Sequence, residues 1–184
     1  ARGTLEVALM ADGVAPADVY RILRTPDGQD RAFRKLDQLR PYIVWWETPS
    51  DAVKLLEGRQ ILMGTAPTAP VSMADHDGHK RFGIQWSGAL MSVESWAIMK
   101  GAALGRLAQQ VVQFASLPAV EARMTTTDYQ VGLVKGGTEG VPQDVLAATP
   151  ALPANFVAGL PVDDGFWRDQ GAKLGQRFVA WLGH

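Results

Sequence analysis

Residues 92–102 read SVESWAIMKGA, from Ser92 through Glu94 and Trp96 to Gly101-Ala102. The run is short, mostly apolar and bounded by polar residues and glycine, the pattern of a buried strand. A carboxylate stands at its start, between two serines and beside a tryptophan. Burying a charge is costly unless something pairs with it. Glu94 therefore either faces water or waits for a positive partner.

Working outward, similar segments recur. Tyr42 to Trp46 (YIVWW), Arg59 to Gly64 (RQILMG) and Arg81 to Trp86 (RFGIQW) share the β-branched, aromatic character of strands. Helical patterns lie between and around them. Leu5, Ala8 and Leu9 predict a helix closed near Gly13. Phe33, Leu36 and Leu39 mark another, ended by Pro41. Thr48-Pro49-Ser50-Asp51 has the residues of an N-cap, a first helical position and a capping box. Further helices are expected over 103–114, from Ser116-Leu117-Pro118 to about Met124, and near 143–148. Asp163 caps a last one to Leu182, with Trp167, Leu174, Phe178 and Trp181 as its buried stripe. Strands alternating with helices predict an α/β fold with a mainly parallel sheet.

The bulk composition narrows the function. Eighteen Lys+Arg against nineteen Asp+Glu leave a net charge of -1 over 184 residues. Such a balance gives no electrostatic drive towards nucleic acid or an anionic membrane. The chain has no cysteine, so disulfides and thiolate metal sites are excluded. No apolar run approaches the ~20 residues of a membrane-spanning helix.

Three constellations are candidates for chemistry. Asp75-His76-Asp77-Gly78-His79 gathers residue types that ligate divalent ions, but Asp-Gly is also a turn signal. Lys135-Gly136-Gly137-Thr138-Glu139-Gly140 is glycine-rich, yet lacks the order of a phosphate loop and reads as an irregular surface loop. No G-x-S-x-G motif is present, and no nucleophile–base set assembles. Trp45, Trp46, Trp96 and Trp167 fall at the ends of predicted elements. Aromatic faces beside a carboxylate suit an alkylammonium group; the alternative is that they are core aromatics.

The ordered set LEVALMADGV (5–14), RAFRKLDQLRPYIVWW (31–46), KLLEGRQILMG (54–64), FGIQWSGALMSVESWAIMKGA (82–102), LPANF (152–156) and FWRDQGAKLGQRFVAWL (166–182) resembles the spermidine/putrescine-type solute-binding proteins of bacterial ABC importers. The resemblance implies a periplasmic-binding-protein-like (type II) fold: two α/β lobes joined by hinge strands, with ligand in the cleft. It implies that this chain is an incomplete C-terminal part, with 1–92 in the second lobe, 93–140 returning to the first, and 141–184 packing helices on the second. It also implies a periplasmic protein without cofactor or catalysis, which hands a polyamine or related small amine to the membrane subunits of an ABC transporter.

By the same comparison, Glu94 stands where an acidic residue pairs with a ligand ammonium. Thr48, Trp46, Trp96, Tyr129, Trp167 and Arg168 fall at or near cleft positions. Some features depart from the pattern. Ala66 replaces a stacking tryptophan, Tyr129 is followed by Gln130-Val131-Gly132 rather than the family's usual turn, and Arg168 brings a positive charge. These leave room for a ligand carrying both an amine and an acid group. A chain of this extent is expected to expose apolar surface and to self-associate. Two other readings stand beside this one: a small-molecule α/β enzyme with a metal at Asp75–His79, and a non-transporting ligand-sensing domain.

Overall fold

A computed structural model describes residues 1–77 and 82–183. Ten helices are present among them: α1 (Thr4–Ala11), α2 (Val19–Leu23), α3 (Pro26–Leu39), α4 (Pro49–Glu57), α5 (Thr68–Asp77), α6 (Gly105–Ala115), α7 (Pro118–Asp128), α8 (Gln143–Ala147), α9 (Pro153–Ala158) and α10 (Asp164–Leu182). Two short strands, β1 (Leu90–Met91) and β2 (Leu160–Pro161), pair in parallel, with Leu90 opposite Leu160 and Met91 opposite Pro161. None of the described helices is long and apolar enough to cross a membrane.

By its internal contacts the chain divides into two units. The first comprises 1–44, 87–92 and 158–184; the second comprises 45–86 and 93–157.

The first unit is built on α1, α3 and α10. Leu5, Ala8 and Leu9 of α1 meet Ala32, Phe33 and Leu36 of α3, and Phe166, Leu174 and Phe178 of α10 complete the core. Burying each large apolar side chain of this kind stabilises by roughly 2 kcal/mol. Local chemistry sets the helix starts. Thr25 accepts the Gly28 N–H at 3.1 Å with Pro26 in the first turn, and Asp163 accepts the Phe166 N–H at 2.8 Å. Arg177 lies over the Phe33 ring at 4.0 Å and pairs with Asp30 at 2.8 Å, tying α10 to α3.

Gly28 is required by close approach. A Cβ there would lie 2.0 Å from the Ile22 carbonyl oxygen, which is backbone and cannot swing aside. Gly28→Ala is therefore expected to destabilise by about 3 kcal/mol or more, through overpacking. Urea unfolding at constant pH reads this directly.

The second unit has a smaller core. Tyr129, Val141 and Val145 are buried together, with Ala69, Ala122, Leu146 and Ala148 against them. Polar groups close it. The Ser72 hydroxyl donates to the Ala148 carbonyl at 3.0 Å, and the Asn155 amide donates to the Ala147 and Thr149 carbonyls at 3.0 and 2.8 Å.

The expected strands at 42–46, 59–64 and 94–99, and the described part of 81–86, are not paired in a ladder among the described residues. Composition says that a segment suits a pleated surface, but a strand exists only where a neighbour takes its N–H and C=O groups. Residues 82–86 retain the alternation of a strand, with Phe82, Ile84 and Trp86 half-buried and Gly83 and Gln85 exposed. The stretch 92–100 is exposed throughout, so it is not the buried strand expected from its apolar run. The Asp75–Asp77 segment is also corrected: it ends α5 rather than forming a hairpin. Gly78 and His79, the rest of that cluster, lie outside the described residues.

Candidate functional site

Glu94 and Trp96 stand two residues apart on the exposed segment of the second unit. Trp96 is 67% exposed, unusual for so large an apolar ring. Among the described residues the Glu94 carboxylate takes part in no hydrogen bond or ion pair. It is a solvated acid two positions from an exposed aromatic ring.

Trp46 lies in the same unit, half-buried, and donates from its ring N–H to the Thr65 carbonyl at 2.9 Å. With Trp45, Glu47, Asp51, Lys54 and Leu55 it lines a shallow groove of about 380 Å3. Thr48 adjoins it, but its hydroxyl is engaged. It donates to Asp51 Oδ2 at 2.6 Å while accepting the Asp51 N–H at 3.3 Å, and the Thr48 N–H reaches the same carboxylate at 3.0 Å. The capping box expected from sequence is thus formed. The Thr48 hydroxyl, then its N–H, hold the Asp51 carboxyl below the usual carboxylate range.

Tyr129 follows α7 with a left-handed backbone, φ 55°. Its side chain is largely buried against Val141 and Val145, and its ring centroid lies 6.4 Å from that of His76.

Trp167 and Arg168 belong to the first unit. Arg168 is exposed, with Nε 3.5 Å from Asp169 Oδ1. Both residues line a groove of about 490 Å3 with Arg2 and Asp164, which pair at 2.7 Å. The Trp167 ring, however, turns inward and packs edge-on to Phe166 at 5.2 Å. Its N–H donates to Glu6 Oε1 at 2.6 Å.

Glu6 is the residue that sequence reasoning missed. It is fully buried. Its carboxylate accepts the Trp167 ring N–H, the Tyr20 hydroxyl at 2.8 Å and the Gly3 N–H at 2.8 Å. An acceptor-only group with three donors satisfies the rule for buried carboxylates without a formal cation. Burial is the main cause that pushes the Tyr20 phenol up to about 12, and the neighbouring Glu6 charge adds to it. The one sequence signal was a carboxylate inside the apolar run LEVALM. The acid thus buried and paired is Glu6, while Glu94 stays open to solvent.

Among the described residues, no group of three or more metal-ligating side chains comes together. The Asp75 carboxylate instead accepts the Phe82 N–H at 2.7 Å.

The chain is 41% identical over 182 residues to the gamma-aminobutyric acid-binding protein of Pseudomonas aeruginosa, which covers 98% of this chain and 51% of that protein. The structure superposes on that of the Atu4243-GABA receptor with a TM-score of 0.83 at 22% identity, covering 98% of this chain and 54% of the other. It superposes on an ABC transporter substrate-binding protein from Bradyrhizobium japonicum with a TM-score of 0.81 at 26% identity, covering 97% and 55%. The chain therefore spans about half the length of the relatives it matches. The fold is the α/β, type II periplasmic-binding-protein fold, present in part and rich in helix. The profile of a family described as bacterial extracellular solute-binding protein matches residues 1–154. With that match over most of its length, the chain belongs to the bacterial extracellular solute-binding protein family.

Proposed function

We propose that the protein carrying this chain is the periplasmic solute-binding component of an ABC importer, and that its ligand is a small molecule with an ammonium group and a carboxylate, of the γ-aminobutyrate type. The observation that carries the reading is Glu94: a solvated carboxylate, unpaired among the described residues and two positions from the exposed Trp96, in a chain 41% identical to a γ-aminobutyrate-binding protein. The acid pairs with the ammonium, and the aromatic face adds a cation–π contact. Tyr129 and Trp46, of the same unit, shape the site. Thr48 comes second, because its hydroxyl already serves a helix cap.

A polyamine is the finer alternative within the same class. It would bring a second ammonium where an amino acid brings an acid, and the 41% identity to a γ-aminobutyrate-binding protein favours the amino acid. On this reading the partners are the importer's membrane subunits. The chain alone is also proposed to self-associate through exposed apolar residues such as Leu104, which precedes α6, and Leu107, Val111 and Phe114 of α6, which sedimentation would register. The ligand class is tested by calorimetric titration of the intact protein with γ-aminobutyrate and with putrescine. Saturable binding of the first, at least tenfold tighter than of the second, is expected, a gap of about 1.4 kcal/mol. Tighter binding of putrescine would restore the polyamine reading, and binding of neither would remove both.

A further inference from the structure

Tyr129 is one of two described non-glycine residues with a positive φ; the other is Arg59. A left-handed residue commonly ends a helix, but glycine or asparagine usually fills the place. A bulky residue persists there only when its surroundings over-determine it. Those surroundings come from α7. Thr125, fully buried, donates from its hydroxyl to the Gln130 carbonyl at 2.7 Å. One turn earlier, Glu121 accepts the Val134 N–H at 3.0 Å.

The loop is cut to fit the Glu121 carboxylate. A Cβ on Gly132 would lie 2.1 Å from its carboxyl carbon, and one on Gly137 would lie 2.5 Å from Oε2. The chain just before the glycine-rich segment noted in the sequence is thus anchored onto α7 through Gln130 and Val134. Tyr129 sits between helix and anchored loop, with its side chain directed onto Val141 and Val145.

On the reading that Tyr129 contacts ligand, we infer that Thr125 and Glu121 are positioning residues for binding. They clamp 130–137 onto α7 and thereby fix the direction of the Tyr129 side chain, without touching ligand themselves. A purely structural role would lower the melting temperature and leave the affinity of the folded protein alone.

The test is a double-mutant cycle on the intact protein, titrated with γ-aminobutyrate well below the melting temperature. Thr125→Val removes the hydroxyl at constant shape, and Thr125→Ser retains it. Thr125→Val is expected to weaken binding by about fivefold or more, within the range seen for coupled neighbours. Thr125→Ser is expected to restore it. In a Tyr129→Ala background the Thr125→Val loss should vanish, because the side chain it positions is gone. Should Thr125→Val fail to fold, Glu121→Gln is expected to give a smaller loss with the same dependence on Tyr129. A Thr125→Val loss that persists undiminished beside Tyr129→Ala would overturn the inference, as would a lowered melting temperature with unchanged affinity. If Tyr129→Ala alone leaves affinity unchanged, the placement of Tyr129 in the site falls first, and this inference falls with it.

Discussion

Glu94→Gln in the intact protein is expected to lower affinity for the proposed ligand γ-aminobutyrate by about ten- to a hundredfold, the worth of a hydrogen bond to a charged group. Glutamine keeps the length of the side chain and a carbonyl acceptor but loses the charge. The ligand ammonium then exchanges well-hydrated water for a neutral amide and gains little. The affinity difference should narrow as salt rises, because ions screen partly exposed charges. Stability should be nearly unaffected, since the Glu94 carboxylate makes no hydrogen bond or ion pair within the described chain. Calorimetric titration and a thermal melt separate the two effects. Unchanged affinity at low salt would remove Glu94 from the site.

The second large effect concerns folding. Glu6→Leu leaves the Trp167 ring N–H, the Tyr20 hydroxyl and the Gly3 N–H facing an apolar side chain. Each buried unsatisfied donor costs about 1–3 kcal/mol, so a loss of roughly 4 kcal/mol is expected. Glu6→Gln should cost less. Its amide oxygen at the Oε1 position still accepts from Tyr20 and Trp167, and only the amide nitrogen opposes the Gly3 N–H. Urea unfolding followed by tryptophan fluorescence should rank the variants with Leu below Gln and Gln below wild type. Equal stability of all three would show that the network is not a stabilising element.

The Tyr20 shift adds a pH dependence. Its phenol is raised from 10.0 to about 12 in the fold, chiefly by burial. A group whose folded value lies above its unfolded value contributes stability in full below the unfolded value. Wild-type protein should therefore lose that contribution as pH climbs from 10.0 through about 12.

The sequence made helices legible where local chemistry decides. Thr48 and Asp163 cap the helices that follow them, and Trp167, Leu174 and Phe178 of the predicted stripe are buried, with Trp181 partly so. The apolar stripe of α6 was also legible, but not its exposure. Periodicity tells which side chains share a face and leaves open what covers it. Strands failed for a related reason. Residues 42–46 and 94–99 have strand composition, and pairing needs a neighbour that composition does not name.

The site divides in the same way. Glu94 could be picked out by an acid at the head of an apolar run. Glu6 was not singled out by sequence, because its partners Tyr20 and Trp167 lie 14 and 161 residues away. Thr125 and Glu121 gave no signal of their own. Only the glycines that make room for Glu121 were visible, and they read as a surface loop.

The most direct test is the crystal structure of the intact protein with γ-aminobutyrate bound. The account predicts the ligand nitrogen within about 2.7–2.9 Å of a Glu94 carboxylate oxygen, as charge-assisted hydrogen bonds require, with the Trp96 ring face towards it. An ammonium group paired with another acid, with Glu94 left in solvent, would contradict it.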